Sequence, residues 1–69
     1  MSVNYYYNYA IIDLTTGMCV GVRSCTYEVN DPTYISIPVY DEEYGFKYYI
    51  DGNWYEDAAG TIPWTSSLV

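Results

Sequence analysis

The chain has 69 residues and a net charge of −7 at pH 7, from nine acidic and two basic side chains. Such an acidic chain is not expected to bind nucleic acid phosphates or an anionic membrane surface, because both ligands require clustered Lys and Arg. This length predicts one small domain over residues 1–69, close to the lower size limit for a stable hydrophobic core. We therefore expect help from a protein partner or from self-association.

Neither a metal nor a disulfide is expected to stabilise this core. The chain has no histidine, and its two cysteines, Cys19 and Cys25, are six residues apart in one predicted strand. An extended chain would separate them by roughly 20 Å on the same face, too far for a disulfide. We expect two reduced thiols, buried or half-buried, with no cofactor and no metal.

The first two predicted strands form a hairpin. Tyr5 to Leu14 is rich in aromatic and β-branched residues, and Met18 to about Tyr27 returns alongside it. Between them, Thr15-Thr16-Gly17 predicts a short loop with Gly17 in the left-handed conformation. Gly21 inside the second strand indicates a bulge or a close backbone approach.

The third strand follows a turn at Glu28–Thr33 and is predicted over Tyr34–Tyr40, with Ile35, Ile37 and Val39 facing inward. Pro38 cannot donate a ladder hydrogen bond, which predicts an edge strand. An acidic loop, Asp41–Gly45, comes next.

A second hairpin is predicted around Asp51-Gly52, the strongest turn signal in the chain. Its arms are Phe46–Ile50 and Asn53–Glu56. Residues 57–69 are expected to form a loosely packed tail or a last short strand. The whole pattern predicts an all-β fold, a small antiparallel meander of about five strands, compatible with a small barrel or sandwich.

Aromatic side chains around the second hairpin are the first candidate site. They are more numerous than a small core can absorb, so we expect a binding surface made of Tyr48, Trp54, Tyr55 and Trp64. Tyr5, Tyr7 and Tyr9 form a possible interface strand. Cross-strand packing is the structural alternative for both sets.

Asp41, Glu42 and Glu43 are a second candidate site, an acidic interaction patch. They could imitate nucleic acid phosphates towards a basic partner, or simply be solvated loop acids. The spacing of a calcium loop is absent. No acid, base or nucleophile stands in a catalytic pattern, so we expect no enzyme.

The pattern resembles small all-β modules from the tail gene clusters of tailed bacteriophages. The residues that carry this resemblance are Tyr9-Ala10-Ile11-Ile12-Asp13, Gly17-Met18-Cys19-Val20-Gly21-Val22, Tyr34-Ile35-Ser36-Ile37-Pro38, Tyr40-Asp41-Glu42 and Tyr48-Tyr49-Ile50-Asp51-Gly52-Asn53-Trp54-Tyr55-Glu56. The resemblance implies a tail-associated structural role in assembly or receptor contact, without catalytic residues.

Three functions follow as hypotheses. The first is a non-enzymatic phage tail-associated binding module that acts through its aromatic surface. The second is a phage-encoded acidic inhibitor of a bacterial defence protein. The third is a carbohydrate-binding module that stacks polysaccharide on Trp54, Tyr55 and Trp64. With no signal-peptide pattern and no apolar run long enough for a bilayer, we expect synthesis in the bacterial cytoplasm and assembly into a virion.

Overall fold

The computed structural model describes residues 7–69 and confirms the all-β prediction. Its elements are β1 (Tyr7–Ile12), β2 (Cys19–Cys25), β3 (Tyr34–Ile37), a 3₁₀ turn (Glu42–Tyr44), β4 (Tyr48–Ile50) and β5 (Asn53–Tyr55). The strands form two antiparallel sheets, one of three strands and one of two. Tyr5, where the first strand was predicted to begin, lies outside the described residues.

β1 is the central strand of the larger sheet, whose order is β2-β1-β3. β3 therefore returns along β1 and is an edge strand, as predicted, but it ends at Ile37, directly before Pro38, and does not continue to Tyr40. Both faces of β1 are also covered by packed side chains, as the apolar residues on each face predicted. Ala10 and Ile12 are buried in the main core, while Tyr9 is buried on the opposite face.

A bulge in β2 lies where Gly21 predicted one. Ile11 is opposite Gly21 and Ile12 is opposite Cys19, which leaves Val20 without a partner in the ladder. Because of the bulge, the alternation of side chains between the two faces of the sheet is shifted by one residue along β2. Consequently Cys19, opposite Ile12, and Cys25, opposite Tyr7, project to opposite faces.

The prediction that both cysteines share a face is therefore wrong, because it assumed an unbroken alternation. The prediction of free, buried thiols is confirmed for both. Burial raises the pKa of the Cys19 thiol, which donates a hydrogen bond to the Gly21 carbonyl over 3.1 Å. This thiol therefore stays protonated and unreactive at neutral pH.

The β4–β5 hairpin turns at Asp51-Gly52 as predicted. Their φ angles are +49° and +84°, the pair of positive values that a type I′ turn requires. The hairpin also joins the first sheet, since the Cys19 N–H donates to the Lys47 carbonyl (2.7 Å) and the Tyr49 N–H donates to the Gly17 carbonyl (2.9 Å). β4 thus continues the sheet beyond the start of β2.

After β5 the chain turns and runs back along it. The Glu56 N–H donates to the Ile62 carbonyl (2.8 Å), and the Trp64 N–H donates to the Trp54 carbonyl (3.0 Å). The Asp57 carboxylate closes the turn by accepting from the backbone N–H groups of Thr61 and Ile62, each at 2.9 Å. This return places Trp64 directly beside Trp54.

The main core joins residues of β1, β2 and β3 to the 3₁₀ turn and to the β4–β5 hairpin. Its buried members are Ala10, Ile12, Cys19, Ile37 and Tyr44, and its partly buried neighbours are Val22, Ile35, Tyr49, Trp54 and Trp64. The aromatic half of this cluster, on the β4–β5 side, forms one wall of the candidate site.

Candidate functional site

An open cleft of about 230 Å³ lies where the β4–β5 hairpin, the end of β3 and the returning chain meet. Its apolar walls come from Trp54, Trp64, Tyr44 and Pro38, and its lining also includes Asn53 and Thr65. We call it the tryptophan cleft. It combines exposed aromatic surface with a few polar groups, the usual composition of a binding site.

Tyr44 is the buried centre of this aromatic group, with 4% of its surface exposed. Its ring centroid lies 4.9 Å from that of Trp54 and 4.8 Å from that of Trp64, with interplanar angles of 71° and 83°. These edge-to-face contacts stabilise the fold by more than the free energy expected from the buried area alone. They also fix the orientation of both indoles.

The 3₁₀ turn holds Tyr44 in place. Asp41 caps the turn, and its carboxylate accepts a hydrogen bond from the Glu43 backbone N–H over 2.9 Å. Burial, and secondarily the charge of Asp41, raises the pKa of the Tyr44 phenol. The Tyr44 hydroxyl is therefore a proton donor at neutral pH.

Trp54 and Trp64 are neighbours because the returning chain pairs with β5. Both remain partly exposed while packing on Tyr44. The Lys47 ammonium lies 5.1 Å from the centroid of the Trp64 ring and 4.0 Å from the Glu56 carboxylate. Lys47 thus makes a cation–π contact with Trp64 inside the chain.

Two kinds of hydrogen-bond donor belong to residues that line the cleft. The indole N–H groups of Trp54 and Trp64 can only donate hydrogen bonds. The exposed Asn53 amide donates one long hydrogen bond, 3.4 Å, to the Asp51 carbonyl.

The structure divides the four predicted aromatic residues between two faces. Tyr48 is opposite Tyr55 in the β4–β5 ladder, and the next pair, Tyr49 and Trp54, points to the other side. Trp54 and Trp64 therefore line the cleft together. Tyr48 and Tyr55 lie on the reverse face, where the loop at Gly60 approaches the Tyr55 ring.

The predicted interface strand is also divided. Tyr5 lies outside the described residues, and Tyr7 is exposed to 37%. Tyr9 is buried, with its ring 5.5 Å from that of Tyr34 and its hydroxyl accepting from the Val29 N–H over 2.9 Å. Tyr9 thus serves internal packing.

Within the predicted acidic patch, Asp41 is buried while Glu42 and Glu43 are exposed. The Asp41 carboxylate accepts from the Ser66 hydroxyl and from the 3₁₀ turn, so it ties the returning chain to the turn. Charge mimicry would consequently rest on Glu42 and Glu43 alone. Among residues 7–69, no group of three His, Cys, Asp or Glu is arranged to hold a metal ion.

Tyr44 and Ser66 are the site residues that sequence reasoning missed. Tyr44 stands in what reads as a solvated acidic loop, and Ser66 in what reads as a loose tail. One local signal was available, because Asp41 followed by two glutamates is typical of a helical N-terminus. Such a turn would have placed Tyr44 on a defined face.

Comparison with family models, with curated proteins and with solved structures finds no match to this chain. The resemblance to phage tail modules therefore stays a prediction. In the described part of the chain, no helix has the length and apolarity needed to cross a membrane.

Proposed function

We propose that this chain is a non-enzymatic binding module that contacts another protein through the tryptophan cleft. The observation that carries the proposal is the pairing of Trp54 and Trp64 beside an open cleft. Both indoles pack on Tyr44, yet both residues remain partly exposed. Paired, oriented and partly exposed indoles are the side chains most enriched in protein contact sites.

The biological setting of the proposal is the tail of a bacteriophage. The support for it is the pattern of hairpins that resembles tail-cluster modules, together with several exposed apolar side chains. Phe46, Leu14 and Val20 are 77%, 62% and 59% exposed. An assembly would cover such surface, so we propose synthesis in the bacterial cytoplasm and incorporation into the virion.

Site-specific photo-crosslinking tests the proposal. A photoreactive phenylalanine analogue would replace Asn53, an exposed residue on the cleft rim, in the chain produced during infection. The matched control replaces Glu28, an exposed residue in the loop that covers the Tyr9 face. We expect a discrete protein adduct from position 53, found in purified particles, and none from position 28.

Two results would contradict the proposal. One is the absence of any adduct from position 53 in particles or cell extract, with the chain folded. The other is an equal adduct pattern from positions 53 and 28, which would indicate nonspecific contact.

A second candidate function is carbohydrate binding, favoured by the two partly exposed indoles that line the cleft. Aromatic faces stack on sugar rings, and amide and hydroxyl groups bind sugar hydroxyls. A Trp54→Ala variant that stays folded would then lose retention on a polysaccharide column. Wild-type chain that passes unretained through chitin and cellulose columns would remove this candidate.

A further inference from the structure

We infer that two copies of this chain pair through the outer edge of β3, with the two β3 strands antiparallel and related by a two-fold axis at Ile35. β3 is the last strand on one side of its sheet, and in the described part of the chain no strand pairs with its far side. The inference goes beyond the proposed function, because it uses main-chain groups of β3 and no side chain of the tryptophan cleft.

The register between β1 and β3 shows which main-chain groups face this edge. The Ile12 N–H donates to the Thr33 carbonyl over 2.8 Å, so the odd-numbered residues of β3 direct their N–H and C=O groups towards β1. Tyr34 and Ser36 therefore direct theirs away from the sheet. The Tyr34 N–H donates to the Asp31 carbonyl over 2.9 Å. The Tyr34 carbonyl and both main-chain groups of Ser36 remain, and residues 7–69 supply no partner for them.

These remaining groups are complementary to themselves. An antiparallel pair of β3 strands can place Ile35 of one copy opposite Ile35 of the other. The Ser36 N–H of each copy then donates to the Tyr34 carbonyl of the other. A two-fold interface requires the same groups from both copies, and the β3 edge supplies one donor with acceptors on either side.

Ile35 supplies the apolar contact in this arrangement. Its side chain packs against the main core and is half-buried. The two copies of Ile35 form a non-hydrogen-bonded pair, in which the Cα atoms are about 4.5 Å apart and the side chains approach closely. β3 has no charged side chain, so no like charges lie opposite each other within the strand pair although each chain carries −7.

The other edge of the sheet, along β2, has protective features that β3 lacks. Bulges and charged side chains are common features that keep sheet edges from pairing. β2 has the bulge at Val20 and contains Arg23, and the residues before β4 cover its start through hydrogen bonds to Cys19. β3 has neither a bulge nor a charge. Pro38 follows β3 directly and confines the pairing to the four residues Tyr34–Ile37.

Amide hydrogen exchange in dilute and concentrated samples of the intact chain tests the inference at single residues. Ser24 is the matched control for Ser36. Ser24 is opposite Asn8, whose main-chain groups face β3, so the Ser24 N–H points to the outer edge of β2. We expect the Ser36 amide to exchange roughly tenfold more slowly in the concentrated sample, while the Ser24 amide exchanges at the same rate in both.

Sedimentation velocity from micromolar to millimolar concentration measures the mass of the same samples. We expect wild type to change from monomer to dimer and Ser36→Pro to stay a monomer. Proline is tolerated on an edge strand where the N–H faces solvent, so this variant should keep the wild-type circular dichroism spectrum.

Ser36→Lys is a second variant that tests the same edge. Lys on an edge strand hinders pairing, so this variant should also stay a monomer, although the added positive charge lowers the repulsion between copies. The control Val20→Lys makes the same charge change at an exposed residue of the β2 bulge. It should form the dimer as wild type does.

A wild-type chain that stays monomeric at the highest concentration would overturn the inference. A dimer that persists in both Ser36→Pro and Ser36→Lys would also overturn it, because that dimer uses another surface. Slow exchange of Ser36 at every concentration would do the same, since the amide would then have a partner within its own chain. None of these results bears on the position-53 crosslink, which tests the cleft separately.

Discussion

Among the described residues, Phe46 has the least favourable backbone conformation for its residue type. Its φ is +69°, in the left-handed region, while its side chain is 77% exposed. Its N–H donates to the Cys19 carbonyl over 2.9 Å, so the turn between the 3₁₀ helix and β4 requires this conformation. Local turn chemistry would favour Gly here, and no sequence rule predicts a phenylalanine.

Phe46→Gly should therefore stabilise the isolated chain. It removes a left-handed cost of about 1–2 kcal/mol, part of which is offset by the greater freedom of Gly in the unfolded chain. We expect a net gain of about 0.5–1 kcal/mol in the free energy of unfolding, measured in urea. Phe46→Ala, which keeps the backbone cost, should change stability little, and a loss of stability in the Gly variant would contradict this account.

Gly17 and Gly52 were both assigned to turns from the sequence, and both have positive φ, +80° and +84°. They differ in their surroundings. A Cβ at Gly17 would lie 3.1 Å from the Tyr49 carbonyl oxygen, whereas a Cβ at Gly52 would meet nothing within 4 Å.

Gly52→Ala should thus cost about 1–2 kcal/mol, the penalty of the left-handed conformation alone. Gly17→Ala should cost more, because the new methyl also disturbs the junction between the two sheets. Urea unfolding of both variants checks the order. Equal losses of stability in the two variants would mean that the junction accommodates the added methyl group without a further loss of stability.

Asp31 and Asp57 make folding sensitive to acid. The Thr33 hydroxyl and then its N–H lower the pKa of Asp31, and the Thr61 hydroxyl and then the Ile62 N–H lower the pKa of Asp57. A carboxyl whose pKa is lower in the folded state contributes stability above its unfolded value. That contribution disappears as the pH falls through the folded pKa.

Asp57→Asn should accordingly reduce stability at neutral pH and make it less dependent on pH below about 4, the usual aspartate range. The measurement is the urea midpoint of wild type and variant from neutral to acidic pH. The two curves should converge in acid. Parallel curves would show that Asp57 has no role in the acid response.

At the level of elements, the positions of the strands and turns could largely be predicted from the sequence. The side of the sheet on which each side chain lies could not. The Asp51-Gly52 turn, the Gly17 loop and the edge position of β3 depend on local chemistry that a sequence displays. The bulge at Val20 was indicated by Gly21, but its effect on the faces depends on which residue is left unpaired. Register between strands decides that, and register is a tertiary property.

The contact between Ser66 and Asp41 links two elements distant in sequence. The Ser66 hydroxyl donates to the buried Asp41 carboxylate and accepts from the Leu68 N–H over 3.1 Å. Ser66→Ala should cost about 1–3 kcal/mol, because it removes a hydrogen bond to a buried carboxylate. Thr65→Ala, at an exposed neighbouring position, should cost far less in the same urea experiment. Similar losses in the two variants would show that the contact is dispensable.

At the scale of the whole molecule, the all-β class and the aromatic character of the site followed from composition and pattern. The cleft itself did not, because it needs three distant segments to meet. β5 supplies Trp54, the 3₁₀ turn supplies Tyr44 and the returning chain supplies Trp64. Tyr48 and Tyr55 are as aromatic as the two tryptophans, so composition cannot distinguish them. Only the register of the β4–β5 ladder shows that these tyrosines lie on the face opposite the cleft.

Hydroxyl-radical footprinting of the free chain and of the proposed assembly is the measurement that tests the central claim most directly. In the free chain, Trp54 and Trp64 should both be oxidised, since both are partly exposed. In the assembly, we expect strong protection of the two tryptophans, while Tyr27, 57% exposed and outside the cleft, keeps its labelling. Unchanged oxidation of Trp54 and Trp64 in the assembled state, with protection elsewhere, would contradict the claim that this cleft is the contact site.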